Sequence, residues 1–150
     1  MPSKRSQTSE SALLAHIIAR TRGMENTFPR VIAGPGHDCA VVATPAKRLL
    51  LKVDQLIEGK HFRKGTPLTL IARKAVARTI SDIAASGGSP WCAMVAAAVP
   101  RGFKEAAKLF DLMLEAGESF SCPVVGGDIA GTSGPLSLAV TVVEIGRAHV

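Results

Sequence analysis

Arg48-Leu49-Leu50-Leu51-Lys52-Val53-Asp54 is the stretch that decides the fold: a mostly apolar run that closes on a carboxylate. A run this short and this apolar suits a strand buried in a sheet. Thr66-Pro67 then opens a different pattern. A threonine N-cap with proline at the first helical position predicts a helix start. Leu70, Ile71, Lys74, Ala75, Arg78 and Ile83 carry the helix onward, and Gly87-Gly88 stops it. Strand followed by helix sets an alternation that the flanks continue.

Upstream, Gly34-Pro35-Gly36-His37-Asp38 reads as a tight turn leading into a strand over Cys39 to Ala43, and Pro45-Ala46-Lys47 makes the next turn. Thr21 to Arg30 reads as a loop, Ser11 to Arg20 as a short helix, and residues 1–10 as a polar tail. Downstream, Trp91 to Val99 reads as a buried strand broken by Pro100-Arg101-Gly102. Phe103, Ala106, Ala107, Phe110, Met113, Leu114 and Gly117 mark one face of an amphipathic helix. Val124-Val125 is a short apolar piece before the Gly126-Gly127-Asp128 turn, and Leu136 to Val143 alternates like a strand. The expected fold class is α/β (α+β), a mixed sheet with helices packed on one face.

The chain has 150 residues, enough for one compact domain with a core. Aromatics make up only 4%, so Ala, Val, Leu and Ile build most of that core. The net charge of +6 gathers in two groups, one in the first 30 residues and one holding Arg63, Lys64, Arg73, Lys74 and Arg78. Basic surfaces attract anions. No aromatics interleave with these charges and no zinc-finger or RNP-type pattern appears, which argues against nucleic acid as a partner. Cys39, Cys92 and Cys122 are odd in number and far apart, unlike a disulfide framework or a zinc site. A reducing cytoplasm is the expected compartment. No signal peptide is read at the N-terminus. The apolar run Ala93 to Val99 is too short to span a bilayer, so no membrane partner is expected.

Four aspartates stand out. Asp38 follows a glycine-rich turn, Asp54 caps an apolar strand, Asp82 lies in a helix among Ile80, Ile83, Ala84 and Ala85, and Asp128 follows two glycines. Isolated carboxylates are costly to bury, and a divalent cation would neutralise a group of them. Magnesium takes hard oxygen ligands and keeps places for phosphate oxygens. The plain alternatives stay open at this point: Asp38 and Asp54 as turn formers, Asp82 beside Arg78 on a polar helix face, Asp128 closing a turn. His61, in Glu58-Gly59-Lys60-His61-Phe62, is by itself an ordinary structural or surface histidine. Glycines 34, 36, 126 and 127 would let backbone approach phosphates. There is no P-loop, no dinucleotide-binding fingerprint and no serine-centred hydrolase elbow.

Taken together, four segments resemble the thiamine-monophosphate kinase family, in the superfamily that also holds aminoimidazole ribonucleotide synthetase. They are Gly36 to Ala40, Val53 to Phe62, Lys74 to Ala85 and Val125 to Asp128. The resemblance implies an aminoimidazole ribonucleotide synthetase-like N-terminal domain. It implies transfer of the ATP γ-phosphate to thiamine monophosphate, giving thiamine diphosphate. It further implies Asp38, Asp54, Asp82 and Asp128 as magnesium ligands, His61 near the thiamine substrate, Gly127 with Asp128 against the nucleotide, and a homodimer formed through the sheet. No residue is assigned as a catalytic acid or base. Sister enzymes of the superfamily, or a non-catalytic nucleotide-binding and dimerising fragment, are the alternatives.

Three departures from the family matter. His37 stands where a first aspartate is usual. Lys52-Val53 replaces a hydroxyl-rich pair. The family's second α/β domain is not represented. Lys52 and Asp54 share a face on an alternating strand, so Lys52 either changes the number of metal ions or contacts phosphate. Glu144 to Val150 leaves the family pattern and resembles the translation of a short-read sequencing adapter. The expected organisation is therefore a tail and helix over 1–28, the ATP- and magnesium-binding, dimerising domain over 29–143, and an adapter-derived tail over 144–150.

Overall fold

The computed structural model describes residues 10–45 and 47–146. Six strands form one sheet: β1 (Val31–Ala33), β2 (Ala40–Ala43), β3 (Arg48–Ile57), β4 (Cys92–Pro100), β5 (Val124–Thr132) and β6 (Ser137–Gly146). The helices are α1 (Glu10–Arg20), α2 (Met24–Thr27), α3 (Leu68–Ala85) and α4 (Ala106–Ser119). The sheet order is β1-β2-β3-β6-β4-β5. Among the described residues, β4–β5 is the one parallel strand pair, so the sheet is mixed, as expected.

Strand alternation builds the core. Leu138, Val140 and Val142 of β6 are all fully buried, and their neighbours in the ladder turn the other way. Leu50 and Leu56 of β3 lie on the same side as this row, and Ala93, Val95 and Ala97 of β4 continue it. Each large apolar side chain buried here contributes roughly 1.5–3 kcal/mol. α3 buries Ile71, Ala72, Ala75, Val76, Thr79 and Ile83, and its alanines let it lie close to β3 and β6. α4 buries Leu109, Met113 and Gly117 and packs against α3 and β5. A Cβ on Gly117 would come within 2.7 Å of the Cys122 carbonyl oxygen, so only glycine fits that crossing. On the opposite face of the sheet Val53 and Met94 remain exposed.

Several boundaries differ from the sequence reading, and each difference comes from pairing. β3 runs on to Ile57 because β6 continues the ladder from Val140 to Ser137, which leaves Asp54 mid-strand. Gly126-Gly127-Asp128 is extended strand, not a turn, because β5 pairs with β4 along its length. Thr66 does not cap α3; its hydroxyl donates to the Arg63 carbonyl at 2.7 Å, and the helix begins at Leu68. The 21–30 loop contains α2, and β1 follows it as an added edge strand. β6 extends past Val143, pairing Glu144, Ile145 and Gly146 with Leu50, Leu49 and Arg48. The polar tail before residue 10, Ala46 of the second turn and the stretch after Gly146 lie outside the described residues.

Candidate functional site

The β3 alternation that turns Leu50 and Leu56 toward the helices also turns Lys52 and Asp54 that way. The last turn of α3 brings Asp82 over them. Lys52 Nζ lies 2.6 Å from Asp82 Oδ2 and 3.5 Å from Asp54 Oδ1. The side chains are 17% (Lys52), 20% (Asp54) and 36% (Asp82) exposed, so the cluster is sheltered but open to solvent. Burial works against the charged lysine. The hydrogen bond from Lys52 to Asp82 and the charges of Asp54 and Asp82 outweigh it, and the Lys52 pKa rises above the usual lysine value.

Asp38 is exposed at the end of the turn that contains Gly36, whose φ of 109° is a conformation glycine adopts readily. The next residue ties that turn to α3. The buried Cys39 thiol donates to the Asp82 carbonyl at 3.6 Å and accepts from the Ser86 hydroxyl at 3.4 Å. Asp38 thus lies on a loop anchored next to Asp82. Asp128 is exposed on the edge strand β5, with β6 and β4 between it and β3. The structure brings together Asp54 and Asp82, ties the loop of Asp38 to Asp82 through Cys39, and leaves Asp128 apart. Among the described residues, no three His, Cys, Asp or Glu side chains come together as a metal-holding group. Asp54 and Asp82 do fit a hard cation, because both carboxylates meet a positive charge at one point, the Lys52 ammonium.

His61 closes the turn after β3. Its Nδ1 accepts the Ile57 N–H at 2.9 Å, the His61 backbone N–H donates to the Ile57 carbonyl at 2.8 Å, and Lys74 Nζ donates to the His61 carbonyl. Gly59, with φ of 84°, allows this tight path. The imidazole is oriented by the backbone, and the accepting Nδ1 leaves the proton of the neutral ring on Nε2. Beside this turn opens a cavity of about 730 Å³ lined by Glu58, Phe62 and Pro67, with Lys64, Arg101 and Lys108 at its wall.

Gly127 and Asp128 line a second groove, about 470 Å³, between β5 and α4, together with Val95, Phe110 and Met113. A Cβ on Gly127 would sit 1.8 Å from the Val95 carbonyl oxygen, so any side chain there would force β5 off β4. Sequence reasoning left the role of Lys52 open, and the structure shows it between two of the nominated aspartates. Of the cations around the larger cavity, Lys64 belongs to the basic group read in the sequence; Arg101 and Lys108 were missed, because they lie far from it in the chain and carry no local pattern.

This fold defines the class. The chain belongs to the family of AIR synthase related proteins, N-terminal domain, whose pattern matches residues 36–148. Within that class it is similar to thiamine-monophosphate kinases. The Rhodopirellula baltica kinase is 33% identical over 144 residues, covering 89% of this chain and 44% of that relative. The Escherichia coli K12 kinase is 32% identical, covering 93% of this chain and 43% of that relative. A solved structure of AaThiL complexed with AMPPCP and TMP superposes with a TM-score of 0.74 at 29% identity, covering 91% of this chain and 41% of that one. The chain therefore spans less than half the length of the relatives it matches. Among the described residues, no helix is long and apolar enough to cross a membrane.

Proposed function

We propose that this chain supplies the nucleotide- and metal-binding part of a magnesium-dependent kinase that transfers the γ-phosphoryl group of ATP to thiamine monophosphate, giving thiamine diphosphate. The observation that carries this reading is the meeting of Asp54 and Asp82, from separate elements within the family-matched segment, at one cation position. The name shared by the relatives supports the reaction, and AMPPCP bound to AaThiL supports the nucleotide.

In this reading Asp38, Asp54, Asp82 and Asp128 hold magnesium, Gly127 and Asp128 lie against the nucleotide, and His61 lies near the thiamine substrate. Magnesium, when bound, neutralises charge on the phosphate oxygens. The chain's own residues orient and enclose. The anchored turn keeps His61 in one orientation, and Gly127 and Asp128 line the groove between β5 and α4 that would take the nucleotide. Lys64, Arg101 and Lys108 offer positive charge to a phosphorylated acceptor. The acceptor is itself a phosphate, largely ionised near neutral pH, so positioning outweighs the need for a strong base. The exposed Val53 and Met94 on the sheet face opposite the helices support a homodimer formed through that face. The cytoplasm is the proposed site of action.

The test is an assay with ATP, magnesium and thiamine monophosphate, with the C-terminal half of the Rhodopirellula baltica relative supplied in trans. Thiamine diphosphate is the expected product, with little or none from the chain alone. Absence of product when both halves are present and associated sinks the kinase reading.

A further inference from the structure

Asp54 and Asp82 reach one point from different elements, β3 and α3, and the ammonium of Lys52 already occupies that point. With Lys52 the three groups carry one net negative charge. Without it, two carboxylates face each other in a sheltered cleft, where like charges repel more strongly than in bulk water. A divalent cation would relieve the same repulsion. It cannot do so at that point while Lys52 stays in place, which leaves the other oxygens of Asp54 and Asp82 for the magnesium of the proposed function. Magnesium needs oxygen ligands at about 2.0–2.1 Å, and an ammonium within hydrogen-bond distance of Asp82 blocks that approach.

We infer that Lys52 is a tethered cation that takes the place of one divalent ion between Asp54 and Asp82. The inference rests on the reading of this cleft as a cation site, but not on the kinase reaction. It answers the question Lys52 raised in the sequence: the residue lowers the number of metal ions the cleft takes, and it holds the two carboxylates in position with no metal at that point.

The deciding measurement is Mn2+ binding to the 150-residue chain, followed by electron paramagnetic resonance, for the wild type, Lys52→Met, Lys52→Arg and the double variant Lys52→Met/Asp82→Asn. Methionine keeps the length of the side chain and removes its charge. Lys52→Met is expected to bind one more ion per chain than the wild type. Lys52→Arg should behave like the wild type, and the double variant should lose the added ion. If Lys52→Met unfolds in metal-free buffer, Mn2+ is expected to restore its unfolding temperature to near the wild-type value. The inference is overturned if Lys52→Met neither gains an ion nor is stabilised by Mn2+. It is equally overturned if the wild type holds as many ions as Lys52→Met with the same affinity. Magnesium–ATP binding by the wild type, measured in parallel, separates this inference from the kinase reading. Nucleotide binding with no added ion in Lys52→Met removes the lysine role alone. An added ion without nucleotide binding removes the kinase reading alone.

Discussion

Lys52 and Glu144 stand on the helix-facing side of neighbouring strands, where the ladder pairs Lys52 with Val142 and Glu144 with Leu50. Lys52 meets two carboxylates. Glu144 is 4% exposed, and its Oε2 has no hydrogen-bond partner among the described residues. The difference lies in what passes overhead. The last turn of α3 presents Asp82 to Lys52, whereas just beyond that helix Gly88 lies over Glu144. A Cβ there would already be 3.0 Å from Glu144 Cγ and 2.7 Å from Leu50 Cδ1, so there is no room for a partner side chain from that position. A charged group on the inner face of this sheet is accommodated when an opposing element supplies a counter-charge, and is left in conflict when it supplies only backbone.

The largest effect is expected at the unpartnered carboxylate. Replacing Glu144 by leucine is expected to raise stability by about 3 kcal/mol, the upper end of the cost of a buried polar group left without a partner. Urea unfolding measures it, and a destabilised Glu144→Leu would mean that the carboxylate has a favourable role. The paired side should respond in the opposite sense. Lys52→Met in metal-free buffer is expected to lose about 1.5–3 kcal/mol, the worth of hydrogen bonds to charged groups; an unchanged urea midpoint would show that the ammonium holds nothing together.

Salt sharpens the contrast by a smaller amount. The cluster is open to solvent, so raising sodium chloride from 0.1 to 1 M, which shortens the screening length from about 10 to 3 Å, should narrow the gap between the wild type and Lys52→Met. The effect of Glu144→Leu should hardly move, because that site is sealed from ions.

The last effect is absent at neutral pH and concerns a buried group that remains neutral there. Burial, with the nearby Cys92 adding to it, pushes the Cys122 thiol up to about 11. The unfolded thiol ionises near 8.5. Above that pH the unfolded chain binds fewer protons than the folded one, so this thiol makes stability fall as pH rises toward about 11. Cys122→Ala should flatten that part of the stability–pH curve, and an equal slope in both proteins would contradict the assignment.

Much of the fold was legible locally. The alternation in Leu136 to Val143 and the helical spacing after Thr66-Pro67 identify two of the elements that build the core, and the same alternation places Lys52 and Asp54 on one face. The nominated site was legible only as residue types. Asp54 read as the end of a strand because its apolar run stops there, yet pairing with β6 carries β3 on to Ile57. Gly126-Gly127-Asp128 read as a turn because glycines usually mark one, yet β4 draws it into a ladder where only the bare backbone fits against Val95.

By itself, then, the sequence determined the longer helices and strands and the alternation of β3 and β6, because periodicities of two and 3.6 are properties of a single chain segment. Tertiary structure decided the rest. The insertion of β6 between β3 and β4 is a long-range pairing with no local signature. It spaces β5 and Asp128 away from β3, and it buries Glu144 beside Leu50. The packing of α3 across β3 and β6 brings Asp82 onto Lys52, making a shared cation position out of residues that neither strand nor helix could assemble alone.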